Sequence, residues 1–193
     1  MRFSLNKIYT RKGDNGFTGL VGGGQIAKTA LQIEVFGSVD ELNAFVGLIR
    51  TYALNYTASH PHIATETDQV LKKIQNELFD LGSRLATPAG KSHPTMRNIT
   101  PQQVTDLENK IDAYVNGLPT LNSFVLPGGN KLNAYAHVAR TVCRRLERLL
   151  WRFKEEQPLE PAVLQYVNRL SDFLFAYSRW VAAQLGEKEF LWE

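Results

Sequence analysis

Apolar residues recur three and four positions apart through most of this chain, the spacing that lines one face of an α-helix. The clearest run occupies 131–154 and comprises Leu132, Tyr135, Ala139, Val142, Leu146, Leu149 and Phe153. Four other segments repeat the pattern. The five predicted helical segments are about 38–54, 71–85, 101–116, 131–154 and 163–180.

Residues at the segment ends predict where two of these helices begin. Ser38 with Glu41 three positions later forms the sequence pattern of a capping box. Thr100 and Pro101 are suited to the N-cap and first helical positions. Between helices, 55–66 and 86–99 are predicted to be surface loops.

No segment shows convincing strand alternation, so the pattern predicts an all-α fold, a five-helix up-and-down bundle. The first 37 residues differ in kind, because they contain seven of the chain's 14 glycines. They predict an ordered glycine-rich N-terminal loop. We therefore expect one domain over 1–193, with the loop at 1–37 and the bundle at 38–185.

Composition excludes several classes of protein. A hydrophobic share of 44% and a charged share of 21% are ordinary for a soluble domain. No apolar run approaches a membrane span, and Met1–Arg11 has no apolar core of a signal peptide. The one cysteine, Cys143, forms no internal disulfide and packs beside the core stripe. These features predict a cytoplasmic protein with no membrane partner.

Charge is concentrated in two places although the net charge is only +3. Residues 1–30 contain five basic residues and one acidic residue, and 131–154 contain seven and one. Two basic clusters in a nearly neutral chain suggest a polyanion held between them. Solvated surface charge is the alternative. The four histidines have no metal-ligand spacing, so no protein-bound metal is expected.

The N-terminal cluster lies in the segment Thr10–Gly19. Its glycines let backbone N–H groups approach phosphate oxygens, while its threonines and basic side chains add donors and charge. Lys28 follows a second glycine-rich stretch. The segment lacks the Gly-x-x-x-x-Gly-Lys-Ser/Thr pattern of a Walker A loop. A phosphate cradle and a flexible surface loop both fit it.

The second cluster is a strip of Arg140, Arg144 and Arg148, spaced four apart and directed away from the apolar stripe. Glu147 neutralises at most one of them. The remaining charge suits a triphosphate, although pairing with carboxylates of a neighbouring helix or subunit also fits.

Two further features are candidates for ligand contacts. The last helix has a second face, composed of Asn168, Asp172, Phe175 and Arg179, that fits either a ligand wall or a subunit contact. Phe124 precedes a Pro-Gly-Gly turn, so its side chain either folds inward or meets an apolar ligand.

The motifs taken together resemble the PduO-type cob(I)alamin adenosyltransferases over about 7–185. The residues that carry the resemblance are Tyr9–Thr18, Phe36–Asn43, Phe124–Gly129, Ala139–Arg148 and Tyr166–Asp172. Two departures stand out. Gln25 replaces an arginine common in the family ahead of Lys28, and Phe36 stands where tyrosine is common.

The resemblance implies a homotrimer with active sites between subunits, which transfers the adenosyl group of ATP to Co(I) of a reduced corrinoid and releases triphosphate. It implies Mg²⁺ carried by ATP, a reductase that supplies Co(I), and an enzyme that receives the product. Asp40 and Arg140 would bridge subunits and, with Arg144, support catalysis. Phe124 would lie against the corrin, and Phe175 is assigned to the corrinoid side. The implied ATP-binding residues are Thr10, Arg11, Lys12, Gly13, Thr18, Gly19, Lys28, Arg144, Glu147, Arg148 and Asn168.

Two other functions compete with this assignment. A non-catalytic protein that stores or delivers corrinoid in response to ATP would use the same residues. A basic-helix nucleic-acid binder fits the arginine strip, but the rest of the chain is not basic and lacks interleaved exposed aromatics. We therefore expect no nucleic-acid partner.

Overall fold

Five α-helices make up most of the structure, a computed structural model that describes residues 8–9, 11–88, 90–91 and 96–193. They are α1 (Leu31–Ala53), α2 (Pro61–Leu85), α3 (Pro101–Val115), α4 (Lys131–Glu156) and α5 (Pro161–Gln184). A short 3₁₀ turn, Leu54–Tyr56, follows α1, and two strands, β1 (Phe17–Gly19) and β2 (Gln25–Ala27), precede it. None of the helices in these ranges is long and apolar enough to cross a membrane.

Local signals fix several helix starts. Helices α2, α3 and α5 each begin with a proline, whose missing N–H would have no partner in the first turn anyway. Thr100 is the N-cap of α3, as predicted, and its backbone N–H donates to Gln103 Oε1 at 2.9 Å. Asn130 caps α4 by accepting from the Asn133 N–H at 2.9 Å.

The predicted start of the first helix is wrong. Helix α1 begins at Leu31, and Ser38 is a buried residue inside it, not an N-cap. The apolar spacing continues backwards through Val35, which is fully buried, so packing extends the helix through a segment predicted to be loop. Glu41, the other half of the predicted capping box, forms an ion pair with Arg145.

The predicted loop at 55–66 is wrong in its second half, because α2 begins at Pro61. Ile63 and Thr67 are already fully buried in its first turns. The apolar spacing is sparse there, which explains why the sequence pattern begins only at Leu71. The described part of 86–99 contains no helix or strand, as predicted.

The helices pack in the order α2, α1, α4, α5, α3 around a shared core. Helices α1 and α4 are antiparallel, since Glu41 pairs with Arg145 near the middle of both helices, whereas Tyr52 at the end of α1 meets Tyr135 at the start of α4, with ring centroids 5.7 Å apart. The second half of α4 therefore lies beside the start of α1.

The N-terminal loop contains a β-hairpin that the sequence did not predict. Its strands are three residues long, too short to show alternation, and pair in antiparallel fashion with Thr18 opposite Ile26. The turn contains three glycines with φ of 82°, 93° and 95°, which other residues rarely adopt. Val21 N–H donates to Ala86 O at 3.1 Å and Gln32 Nε2 donates to Leu85 O at 2.7 Å. These bonds fix the hairpin where α2 ends and α1 begins.

Candidate active site

The hairpin brings Lys28 back to the glycine-rich loop. Lys28 N–H donates to Gly16 O at 2.8 Å, which continues the pairing of the strands. A methyl group built on Gly13 would lie 3.1 Å from Lys28 Nζ, so glycine leaves room for the ammonium group. Two residues assigned to phosphate binding thus lie together, with Thr18 and Gly19 on the adjoining strand.

The other residues of this loop that are assigned to ATP binding are Thr10, Arg11 and Lys12. Thr10 lies outside the described residues. Arg11 and Lys12 are exposed, and Arg11 has a φ of 60°, a left-handed conformation uncommon for a residue with a side chain. The Arg11 guanidinium lies 5.7 Å from the centroid of the Tyr9 ring. Both cations are accessible to solvent next to Gly13 in the sequence.

The arginine strip on α4 has no carboxylate partner in the described part of the chain. Arg144 and Arg148 are exposed and Arg140 is half-buried, yet none of the three has a carboxylate oxygen within 4.0 Å. Burial, and then the charge of Arg144, lower the pKa of Arg140. Within one chain the strip is therefore a row of unneutralised guanidinium groups, which suits a polyanionic ligand.

Glu147 does not neutralise this strip. Its Oε1 accepts a hydrogen bond from Asn168 Nδ2 at 3.0 Å, which ties α4 to α5. Arg148 Nη1 donates instead to the backbone oxygen of Arg144 at 3.0 Å. Four of the assigned nucleotide-binding residues, Arg144, Glu147, Arg148 and Asn168, thus form one connected surface.

His137 contacts the arginine strip from the interior of the bundle, and the sequence analysis did not select it. It is 2% exposed, and its Nδ1 accepts from Arg140 Nε at 3.3 Å. Burial, followed by the charge of Arg140, lowers the pKa of His137 to about 4, so the ring is neutral near pH 7. Phe175 packs edge-on against it, with ring centroids 6.1 Å apart. The spacing of three residues between His137 and Arg140 was the available signal.

Phe124 faces outward from its loop, with 78% of its surface exposed. The Pro-Gly-Gly turn behind it needs glycine, since Gly128 and Gly129 have φ of 148° and 95°. The loop pairs with the residues after α5: Val125 forms an antiparallel bridge with Leu191. The sequence reasoning did not foresee this contact. The side chain of Phe124 therefore does not fold inward, which was one of its two predicted alternatives.

The second face of α5 is divided among contacts within the chain. Arg179 is buried and donates to Glu189, while Asp172 accepts from Arg169 Nη1 at 2.9 Å. These two residues therefore do not form a continuous ligand wall with Asn168.

Within one chain, the hairpin and Phe124 lie far apart. The hairpin lies where α1 begins, and Phe124 lies where α4 begins, beside the far end of α1. Leu31 and Tyr52 are about 32 Å apart along the helix axis. Asp40 is exposed on α1 and forms no ion pair with Arg140 among the described residues.

Comparison with known proteins identifies the family. The family model for cobalamin adenosyltransferase matches residues 8–181. The corrinoid adenosyltransferase of Mycobacterium tuberculosis strain H37Rv is 44% identical over 183 residues, which are 93% of this chain and 90% of the relative. The chain belongs to the cobalamin adenosyltransferase family. The human corrinoid adenosyltransferase MMAB is 36% identical over 188 residues, covering 96% of this chain and 72% of the relative.

Solved structures of the family share the fold. A variant of the PduO-type ATP:corrinoid adenosyltransferase from Lactobacillus reuteri, complexed with cobalamin and ATP, is 35% identical. The TM-score is 0.87, and the match covers 97% of this chain and 99% of the other. Another variant, complexed with ATP, has a TM-score of 0.86 at 35% identity. The prediction of a five-helix adenosyltransferase bundle is confirmed.

Proposed function

We propose that this cobalamin adenosyltransferase transfers the 5′-deoxyadenosyl group of ATP to Co(I) of a reduced corrinoid, in active sites between the subunits of a homotrimer. The observation that carries the proposal is the strip of Arg140, Arg144 and Arg148, whose charges have no carboxylate partner within the described chain. A triphosphate supplies the missing negative charge.

Within this proposal, two surfaces hold the triphosphate. Lys28 and the N–H groups around Gly13 bind it from the hairpin, while Arg144 and Arg148 bind it from α4. Arginine is well suited to this task, because its planar group donates two parallel hydrogen bonds to phosphate oxygens. Asn168 fixes Glu147, and so keeps that carboxylate away from the guanidinium groups.

The separation of the parts supports a site between subunits. Lys28 lies near the start of α1 and Phe124 lies beside its far end, and the helix between Leu31 and Tyr52 is about 32 Å long. This separation supports a site that takes the hairpin from one subunit and the Phe124 loop from another. Asp40, exposed and without an ion pair to Arg140 in its own chain, is available to pair with Arg140 of a neighbour.

The proposed reaction is a nucleophilic substitution at carbon. The Co(I) electron pair attacks the 5′ carbon of ATP, the bond from that carbon to the ester oxygen breaks, and triphosphate leaves with the bonding electrons. The cobalt becomes formally Co(III). Positive charge from Arg144, Arg148 and Lys28 stabilises the negative charge that grows on the leaving group. No side chain of the protein serves as nucleophile or general base.

Phe124 has a separate role in the proposal. Its exposed ring presents an apolar surface to the lower face of the corrin, which disfavours a lower axial ligand on cobalt. A four-coordinate Co(II) is more easily reduced to Co(I), so Phe124 would act before the transfer step. Phe175, beside His137, would form part of the apolar wall on the corrinoid side.

Magnesium is proposed to enter with the nucleotide. The described residues contain no group of three His, Cys, Asp or Glu side chains placed to hold a metal ion. Magnesium commonly reaches proteins bound to substrate phosphates, with few protein ligands. The ion would neutralise part of the triphosphate charge alongside the arginines.

We also propose that the protein works in the cytoplasm, where its buried free thiol, Cys143, would remain reduced. The reaction consumes Co(I), so a reductase must supply it, and the product suits an enzyme that depends on adenosylcobalamin. These partners follow from the chemistry of the reaction.

The decisive experiment mixes the protein with ATP and chemically reduced cobalamin under anaerobic conditions. We expect the absorbance of Co(I) to be replaced by that of adenosylcobalamin, with one intact triphosphate released per product. Binding of both substrates without product would overturn the enzymatic proposal and favour a corrinoid carrier. Omitting ATP provides the control.

A further inference from the structure

The last residues of the chain are hydrogen-bonded to the loop that carries Phe124. Trp192 N–H donates to Phe124 O at 2.8 Å, and Leu126 N–H donates to Phe190 O at 2.7 Å. Ser123 Oγ donates to Trp192 O at 2.6 Å. In the described chain, these tail residues take all the backbone hydrogen bonds from 124–126 to other segments.

A buried arginine anchors this tail to the bundle. Arg179 on α5 is 7% exposed, and its Nε donates to Glu189 Oε1 at 2.9 Å while its Nη2 donates to Oε2 at 3.1 Å. The two parallel bonds form a bidentate pair, the strongest geometry for these groups. The same Nη2 donates to Pro119 O at 2.8 Å, near the start of the Phe124 loop. One guanidinium therefore holds both the tail and the loop.

A second contact fixes the start of the tail. Asn130 Nδ2 donates to Glu187 Oε2, and the side-chain oxygen of Asn130 also caps α4. The tail is thus attached to α4 at Glu187 and to α5 at Glu189 before it reaches the loop. These two side-chain contacts hold the tail beside the loop, and the backbone bonds of Phe190 and Trp192 give its register against Phe124.

Phe124 itself has little support from the bundle. Its ring is mostly exposed, and among the aromatic rings of the described residues it contacts only Trp192, at a centroid distance of 6.3 Å. The direction of the ring therefore depends on the backbone of 124–126, and that backbone depends on the tail.

We propose that Arg179 and Glu189 act as a latch that holds the C-terminal tail, 187–193, against the loop and so positions Phe124 for the corrinoid. Arg179 is a positioning residue: it acts through Glu189 and the tail and does not touch substrate. The inference rests on the proposed function, because it takes the corrin as the ligand of Phe124. It assigns the tail to the corrinoid step and leaves nucleotide binding to the hairpin and the arginine strip.

Glu189→Gln tests the latch, because it removes the charge and one bidentate acceptor but keeps the shape of the side chain. We expect the KM for corrinoid to rise about tenfold to a hundredfold, as for loss of a charge-assisted hydrogen bond. The fraction of four-coordinate Co(II), read from the absorption spectrum with ATP present, should fall. The KM for ATP should stay unchanged, because in the described chain Arg179 and Glu189 form no hydrogen bond or ion pair with Lys28 or Arg144.

Three comparisons make the result specific. Glu193→Gln removes an exposed carboxylate from the same tail and should leave both KM values unchanged. Arg179→Lys keeps the charge and should retain part of the corrinoid affinity that Arg179→Met loses. In a Phe124→Ala background, Glu189→Gln should have little further effect, since both changes act on one step.

The latch is wrong if Glu189→Gln leaves corrinoid KM and four-coordinate Co(II) unchanged while Phe124→Ala alters them. It is also wrong if the effects of the two changes multiply independently. Circular dichroism of each variant separates these outcomes from unfolding. Failure of the proposed function itself would look different, because the unmodified protein would then form no adenosylcobalamin.

Discussion

At the scale of single residues, the candidate site depends on arginine side chains that have no carboxylate partner among the described residues. Arg144 and Arg148 are exposed cations beside one another, whereas the neighbouring Arg145 is paired with Glu41. Both kinds of arginine lie on the same helix and were equally visible in the sequence. The four-residue spacing of Arg140, Arg144 and Arg148 predicted one strip of the helix, and Arg145 lies outside it.

Arg144→Ala should reduce turnover about tenfold to a hundredfold, because a charge-assisted contact to a triphosphate contributes roughly 1.5–3 kcal/mol. The exposed position predicts an unchanged fold. The check is steady-state adenosylation with the thermal midpoint measured in parallel. Arg145→Ala, one position along, is the matched control and should retain turnover; equal losses in both variants would remove Arg144 from the site.

His137 predicts a specific pH dependence of stability. The pKa of a histidine is about 6.5 in an unfolded chain and about 4 here, because burial and then the charge of Arg140 oppose protonation, while Glu189 favours it less strongly. Between these pH values the unfolded chain binds more protons. The folded state therefore loses stability as pH falls from about 6.5 to about 4, with no further loss from this group below that range.

Comparison with His137→Gln isolates this effect. Glutamine retains an acceptor for Arg140 but does not titrate. Urea denaturation at one protein concentration measures the free energy of unfolding at pH 7 and at pH 4. Between these pH values, the unmodified protein should lose about 2–3 kcal/mol more of this free energy than the variant. Equal losses would mean that His137 is not held neutral by the fold.

At the scale of elements, helices with dense apolar spacing were predictable and short or irregular elements were not. Helices α3 and α4 begin where the sequence placed them, since both spacing and caps agree. The start of α1 was misplaced because glycines and an apparent capping box outweighed the continuing apolar positions. The hairpin and the C-terminal tail were missed, because each is fixed by contacts with residues distant in sequence.

A buried polar contact ties α5 to α2. Tyr166 Oη donates to Glu77 Oε2 at 2.8 Å, and burial is the first cause of the raised pKa of Glu77. Tyr166→Phe would leave this carboxyl group without its donor and should lower the free energy of unfolding by about 1–3 kcal/mol. Urea denaturation measures the change. Tyr135→Phe, a half-buried tyrosine without such a bond, should cost less; a similar cost would show that the contact adds nothing.

At the scale of the whole molecule, the candidate site residues lie near both ends of one bundle. The sequence could not reveal which of them meet. Family motifs predicted the residues of the site, but which of them would meet depends on assembly. Lys28 meets Gly13, and Asn168 meets Glu147, within one chain. Asp40 and Arg140 do not pair there, and Phe124 lies at the other end of the bundle from Lys28. The hypothesis of shared sites is therefore tested by mixing subunits.

Two inactive variants should restore activity when their chains are mixed. Under the proposed function, Asp40→Asn and Arg140→Ala would each damage every site of a uniform trimer. If each site takes Asp40 from one subunit and Arg140 from another, random mixing leaves about a quarter of the sites intact. The measurement is adenosylation after joint refolding at equal amounts, with light scattering to confirm three subunits. Activity no higher than in either variant alone would contradict a shared site.

The sole thiol of the protein can report the rate at which the helical bundle opens. Cys143 is fully buried between α4 and α5, its Sγ donates to Val167 O at 3.2 Å, and burial raises its pKa. Alkylating reagents need an accessible thiolate, so they can modify only molecules in which these two helices have come apart. Mass spectrometry of maleimide capture therefore reports how often the bundle opens, and bound ligands should slow that rate.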